Sequence, residues 1–190
     1  MRKIYFLFVF SMLSTSVLYG QKNKRSLEIG AKLINEYFST DGWGIGLGGQ
    51  LVYKITKHSG IESGLYYQSK PVGFSIYISN GISNYIYSGK IAERRLLFPV
   101  FYRYSSKFIN FSAGPELGYF LGWRAKSSSP GLTINNYDTN NLQFTFSAGV
   151  SKSFNLSESL ILEPEVKYNL HLTEEDFGPA FNISLRKKLF

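Results

Sequence analysis

Apolar and polar residues alternate along much of this chain, most regularly over residues 108–124, FINFSAGPELGYFLGWR. The odd positions from Ile109 to Trp123 are apolar, and the even positions between them, apart from Phe120, are small, polar or charged. A period of two indicates a β-strand with one apolar face. The stretch is also longer than the roughly 9–11 residues with which a tilted strand crosses a membrane.

Further stretches with the same period predict eight strands in all. Their expected ranges are 26–38, 43–55, 60 through 78, 94–104, 108–124, 142–154, 160–172 and 177–190. The connections after the third and fifth strands are long, and those after the second, fourth and sixth are short. Outer-membrane barrels combine short periplasmic turns with longer external loops, so we expect the long loops to lie outside the cell.

A soluble sandwich or a lipocalin-like barrel also alternates in this way. Three features favour a membrane barrel: strands longer than the about 5–6 residues of soluble ones, a polar face that combines glycine with charges of both signs, and aromatic residues at the ends of the apolar face. These interface aromatics are Trp43 and Trp123 at the outer end and Tyr53, Tyr102 and Tyr104 at the inner end. The predicted fold is all-β, an eight-stranded antiparallel up-and-down transmembrane β-barrel, with a soluble ligand-binding β-barrel as the alternative.

The first twenty residues predict a secretory signal peptide. A basic start and a short apolar core are followed by small residues, and cleavage is expected between Gly20 and Gln21. We assign residues 1–20 to the signal peptide and residues 21–190 to one barrel domain in the bacterial outer membrane. An N-terminal anchor is the alternative, but the apolar run is shorter than the about 20 residues that a membrane helix needs.

The chain is basic, with a net charge of +8 at pH 7, of which Arg2 and Lys3 in the predicted signal contribute two. The lysines and arginines are scattered along alternating strands and do not cluster beside a stacking motif, which argues against nucleic acid as a partner. Cysteine is absent. Disulfides, thiolate metal sites and lipid attachment through a cysteine are therefore excluded.

The charged residues of the polar faces are expected to meet inside the barrel. Eight strands enclose a space that side chains just fill, so we predict a structural lumen charge network whose members are paired. Its central pair is expected to join Glu116 to Arg95 or Arg103. The network is predicted to contain Glu28, Lys32, Glu62, Arg95, Arg103, Glu116, Arg124, Glu163, Glu165 and Lys167, with Glu36, Lys54, Lys70 and Arg186 on the same faces. A narrow ion or proton path is the alternative, which a filled lumen disfavours.

His171 is the residue that raises the question of catalysis. It lies near the outer rim beside the acidic run from Glu174 to Asp176, and a histidine with a serine and an acid at this rim would suit a lipid-modifying enzyme. The candidates match no fixed spacing, so we expect a solvated rim histidine and no enzyme activity. The acidic run lacks a full set of cation ligands, and neither a metal nor a cofactor is predicted.

Several segments carry a resemblance to a known family. They are Gln21 after the signal, the strand Leu96-Leu97-Phe98-Pro99-Val100, the segment Gly114-Pro115-Glu116-Leu117-Gly118 and the terminal Phe190. In these the chain resembles the outer-membrane β-barrels of Bacteroidetes-type bacteria, the PorT-like or OmpX/OmpA-like barrels. The resemblance implies that Phe190 is the assembly signal recognised by the barrel-assembly machinery.

The function expected from these observations is that of a small outer-membrane barrel with a plugged polar lumen, in contact with outer-membrane lipid. We expect it to have either a structural role in the membrane or a role in binding a surface or envelope protein. Tyr77, Tyr85 and Tyr87 in the long connection after the third strand suggest a hairpin above the membrane whose edge would suit such a partner. Simple decoration of the solvated surface is the favoured interpretation of these residues. The resemblance implies an alternative role in envelope transport or secretion, and a lipid-modifying enzyme is less favoured.

Overall fold

A computed structural model describes residues 26–38, 42–79, 84–127, 141–173 and 176–189. These residues form nine strands, which are β1 (Ser26–Phe38), β2 (Gly42–Lys54), β3 (Ser59–Ser79), β4 (Asn84–Ser105), β5 (Asn110–Ser127), β6 (Leu142–Ser151), β7 (Phe154–Asn155), β8 (Leu160–His171) and β9 (Asp176–Lys188). Within these ranges there is no helix with the length and hydropathy needed to cross a membrane.

The strands close into a ring of antiparallel pairs. Strands β1 to β6 pair in chain order, β6 pairs with β8, β8 pairs with β9, and β9 returns to β1 over Glu28↔Lys188 to Glu36↔Ala180. The two-residue β7 follows β6 after a break at Lys152 and Ser153 and pairs with β8 beyond it. Strands β6 and β7 therefore share one position, and the predicted eight-stranded antiparallel up-and-down barrel is confirmed.

Burial in this barrel is the reverse of that in a water-soluble protein. Ile45 and Leu47 on the outer surface are 61% and 59% exposed, whereas Glu28 and Glu62 inside are 0% exposed. Exposure alternates residue by residue along β2, β6 and β9. Water disfavours an apolar surface of this extent, and a hydrocarbon environment satisfies both faces of the sheet at once. The barrel is therefore a transmembrane one.

The connections distinguish two ends of the barrel. The turns 55–58, 106–109 and 156–159 lie at one end, together with the start of β1 and the end of β9. We call this the short-turn end. Strands β1, β3, β5 and β8 end at the opposite end of the barrel, which we call the long-loop end.

Strands β3 and β4 extend past the ring at the long-loop end. Pairing of β2 with β3 reaches Ile45↔Ser69, but β3 and β4 remain paired as far as Ser79↔Asn84. The predicted continuation of the third strand through residue 78 is confirmed, and the predicted start of the fourth strand at residue 94 is wrong. Residues 84–93 read NYIYSGKIAE, and the consecutive Tyr, Ile and Tyr conceal the period of two.

Glycine provides the space for Tyr66 inside the barrel. A methyl group on Gly48 would lie 2.0 Å from the Leu65 carbonyl oxygen and 2.7 Å from Cδ1 of Tyr66. Tyr66 itself packs with Ile34 and Leu97 in a small buried apolar cluster. The next residue, Gly49, is on the outer surface, where a methyl group would have no atom within 4 Å.

We predict that Gly48→Ala lowers the free energy of unfolding by about 1–3 kcal/mol, because the added methyl overpacks the lumen against rigid backbone. Gly49→Ala is the matched control and should change stability by less than about 0.5 kcal/mol. Urea unfolding of the folded barrel in detergent, followed by tryptophan fluorescence, measures both. Equal effects of the two substitutions would contradict the assignment of faces on β2.

Candidate functional site

The polar faces of the strands line a lumen that contains many charged side chains. Because side chains alternate across each strand, and because the ring closes, every second residue points into this space. The resulting interior is rich in ion pairs, which we describe from the short-turn end to the long-loop end.

Glu163 on β8 binds donors from four other strands. Its carboxylate accepts from Nη2 of Arg103 and from Nη2 of Arg186, each at 2.6 Å. Ser151 donates to it at 2.8 Å and Asn110 at 3.3 Å. The carboxylate is 2% exposed, so these protein donors replace nearly all of its contact with water. Glu163 therefore ties β4, β5, β6 and β9 to β8.

Arg103 connects Glu163 to the middle of the lumen. Its Nη1 lies 3.0 Å from Oε2 of Glu62, and Oε1 of Glu62 lies 2.7 Å from Nζ of Lys32. Lys32 also lies 2.6 Å from Oε2 of Glu165, and Nζ of Lys167 lies 3.5 Å from the same oxygen. A line of alternating charges therefore reaches from β4 through β3 and β1 to β8.

Arg186 extends the line toward the short-turn end. Its Nε lies 3.2 Å from Oε2 of Glu28, and Oε1 of Glu28 lies 2.6 Å from Nζ of Lys54. We call the whole line the charge ladder; it consists in order of Lys54, Glu28, Arg186, Glu163, Arg103, Glu62, Lys32, Glu165 and Lys167. Each neighbour in the ladder has the opposite charge, which is what makes burial of so many ionised groups tolerable.

A second cluster surrounds Glu36, nearer the long-loop end. Nε2 of His171 lies 2.9 Å from Oε1 of Glu36, while Asn169 donates to the same oxygen at 2.5 Å and Gln68 donates to Oε2 at 2.7 Å. The other ring nitrogen of His171, Nδ1, lies 3.0 Å from Oγ1 of Thr145. Carboxylate, imidazole and hydroxyl thus stand in one line, all held by groups of the barrel itself.

The expectation of a solvated rim histidine is wrong. His171 is 5% exposed, and the ring of Phe38 stacks on it with 5.4 Å between centroids. The residue is buried because β8 continues to His171 and its side chain takes the inward position. Both nitrogens contact protein groups inside the barrel: Nε2 contacts Glu36 and Nδ1 contacts Thr145. Glu174 and Glu175, which the sequence places beside it, lie outside the described residues.

The predicted central pair of Glu116 with Arg95 or Arg103 does not form. Nε of Arg95 lies 2.5 Å from Oε1 of Glu93, and the described ion pairs of Arg103 are those of the ladder. Glu116 instead lines, with Lys167, a cavity of about 20 Å³. Glu93 is absent from the predicted network because the sequence pattern places the start of the fourth strand after it. In the longer observed strand, Glu93 is two residues from Arg95 and therefore shares its inward face.

Trp123 and Arg124 take the opposite faces from those predicted. Strand β4 pairs with Phe120 and then with Gly122, so that β5 has one extra residue at this point. Gly122 has φ +132°, a conformation that favours glycine, and a bulge of one residue reverses the side-chain parity beyond it. Trp123 then packs edge-on against Phe120, with centroids 5.2 Å apart, and Arg124 is exposed outside.

The other predicted interface aromatics, Trp43, Tyr53, Tyr102 and Tyr104, are exposed on the outer surface. Trp43 lies near the long-loop end of β2, and the three tyrosines lie on the short-turn side. Their contact with lipid headgroups stays a prediction, as does the assembly signal at Phe190, which is outside the described residues.

In the described part of the chain, no group of three or more His, Asp or Glu is placed to hold a metal ion.

We predict that Glu163→Gln lowers the free energy of unfolding by about 3–5 kcal/mol, because it leaves Arg103 and Arg186 buried without their shared counter-charge. The matched control is Glu158→Gln in the exposed turn 156–159, which should have an effect within about 0.5 kcal/mol. Chemical unfolding in detergent compares the two. If the Glu163→Gln variant were as stable as the unaltered barrel, the ladder would not be what holds the strands together.

Comparison with known proteins shows that this chain is similar to several solved structures. The attachment invasion locus protein Ail of Yersinia pestis is 11% identical with a TM-score of 0.42, over 87% of this chain and 97% of that chain. The N-terminal β-barrel domain of Pseudomonas aeruginosa OprF is 11% identical with a TM-score of 0.39, over 86% and 99%. The translocator domain of the autotransporter NalP from Neisseria meningitidis is 10% identical with a TM-score of 0.31, over 93% and 95%. No family model matches the chain, and no curated protein matches it.

Proposed function

We propose that this chain is a small, non-conducting barrel of the bacterial outer membrane, with a plugged polar lumen and a structural or surface-interaction role. The charge ladder is the observation that supports this most directly, because its members come from strands on opposite sides of the ring and meet in the middle. The cavity beside Glu116 and Lys167, at about 20 Å³, has room for about one water molecule. This packing of the described residues supports a lumen without a continuous aqueous path.

The location in the outer membrane is supported by the architecture itself. Closed barrels with an apolar outside and a charged inside are the strand-built solution for a bilayer. The signal peptide predicted over residues 1–20 would export the chain, and the terminal Phe190 would present it to the barrel-assembly machinery. Outer-membrane lipid is the partner that the apolar outer surface requires.

A non-enzymatic role is supported by the environment of His171. The line of Glu36, His171 and Thr145 resembles a hydrolytic arrangement in its residue types, but all three residues are buried, at 2%, 5% and 6% exposed, which leaves a lipid substrate little access to them. The imidazole therefore serves to satisfy Glu36 and to close the lumen below the long-loop end.

The alternative is a component of envelope transport or secretion, as in PorT-like barrels. The feature that would serve it is the β3–β4 hairpin, which stays paired beyond the ring as far as Ser79↔Asn84 and presents a surface for another envelope protein. A secretion defect in a strain that lacks the gene would favour this alternative, whereas normal secretion would favour the structural and surface role.

We predict that the folded protein in planar lipid bilayers gives no stepwise ion conductance, because the ladder occupies the lumen. The double variant Arg103→Ala/Glu163→Ala, which removes one cross-lumen pair of opposite charges, should give small or flickering steps. Lys57→Ala/Glu158→Ala in the turns is the matched control and should be silent. Steady steps of porin size from the unaltered protein would contradict the proposal.

A further inference from the structure

The outer surface carries a groove across β4, β5, β6 and β8, which on β4 and β5 lies near the short-turn end. In the register of these strands, Tyr102 faces Ala113, Ala113 faces Ala148, and Ala148 faces Tyr168. Two small side chains thus stand between two large ones in one transverse row. The groove over them has a volume of about 510 Å³, which is in the roughly 300–1,000 Å³ range of ligand sites.

Toward the short-turn end, two of the strands that carry the groove lead to exposed lysines. The walls of the groove there are Phe111 and Val150, which face each other across β5 and β6. Beyond Phe111 the chain enters the turn that holds Lys107, and beyond Val150 it reaches Lys152, both of them exposed. The apolar groove therefore lies on strands that lead to two positive charges at the short-turn end.

Both lysines lie close to an exposed aromatic ring. Nζ of Lys107 is 5.9 Å from the ring centroid of Phe108, and Nζ of Lys152 is 5.7 Å from that of Phe154. Phe108 is 72% exposed and Phe154 is 45% exposed. Rings that enter the hydrocarbon beside lysines that stay at its edge are typical of side chains at the depth of lipid headgroups.

We propose that this groove binds one anionic phospholipid, with an acyl chain over Ala113 and Ala148 and the headgroup phosphate between Lys107 and Lys152. The site rests on the proposed function, since it requires the barrel to stand in the outer membrane with its short-turn end in the phospholipid leaflet. Charge complementarity selects this occupant. A second copy in two-fold contact would bring the same lysines of both copies together at one rim, where their charges repel. A water-soluble partner would not enter an apolar groove that faces the bilayer.

The test is native mass spectrometry of the purified full chain in detergent, with equal amounts of phosphatidylglycerol and phosphatidylethanolamine of identical acyl chains. Folding is checked first by the difference in gel mobility between boiled and unboiled protein, because a chain that shows no such difference would refute the membrane barrel and not the lipid site. The folded protein should retain phosphatidylglycerol about tenfold over phosphatidylethanolamine. No preference between the two lipids would overturn the proposal.

Two double variants distinguish binding at this site from a general electrostatic attraction between anionic lipid and the basic rim. Lys107→Gln/Lys152→Gln should abolish the preference, whereas Lys57→Gln/Lys187→Gln, which removes the same charge from the rest of the same rim, should retain it. An equal loss in both would show diffuse electrostatics and overturn the site.

The groove itself is tested by filling it. Ala113→Leu/Ala148→Leu should lower retention of both lipids, while Ala31→Leu on the outer face of β1 should leave retention unchanged. If the filled variant instead converts a dimer to a monomer with no change in bound lipid, the occupant is a second copy and the lipid proposal fails.

Discussion

The structure depends on the pairing of opposite charges inside a ring of strands. An ionised carboxylate in a closed lumen is costly unless cations and hydrogen-bond donors surround it, and Glu163 shows how the barrel meets that requirement. Arg103 and Arg186 approach it from β4 and β9, so the same contacts that neutralise the charge also hold distant strands at a fixed separation. In a soluble protein the apolar core does this; here the charge ladder does it, and the apolar residues are left for the lipid.

This exchange of inside and outside explains features that look unrelated along the chain. Glycine occurs on the inward face at Gly48 because Tyr66 needs the space, and the ladder side chains need similar space above and below it. Alanine occurs on the outward face at Ala113 and Ala148, where nothing in the barrel has to be packed. Such a small pair leaves a groove in the lipid-facing surface.

The sequence predicts the faces well and the contacts between strands poorly. Parity alone places Glu28 and Glu62 inside and Leu47 outside, because the side-chain period of a strand is fixed by its backbone. The alternation gives the wrong face for Trp123 and Arg124. One extra residue beside Gly122 reverses the faces there, and the residues before this bulge do not reveal it.

The partners of each side chain across the lumen depend on the stagger of eight strands around the ring. This is why Arg103 pairs with Glu62 and Glu163 and not with Glu116. The sequence pattern understates the hairpin beyond the ring because no membrane imposes alternation on residues 84–93.

The most direct test of the inverted barrel is the environment of single spin labels in the folded protein in lipid vesicles. The chain contains no cysteine, so Leu47→Cys, Leu51→Cys and Lys57→Cys each supply a unique attachment site. Relaxation by oxygen, which concentrates in hydrocarbon, and by a water-soluble nickel chelate reports what surrounds each label. We expect the labels at 47 and 51 to respond to oxygen and the label at 57 to respond to the chelate. Labels at 47 and 51 that respond to the chelate, or to neither reagent, would mean that this face meets water or a protein core, which contradicts the inverted barrel.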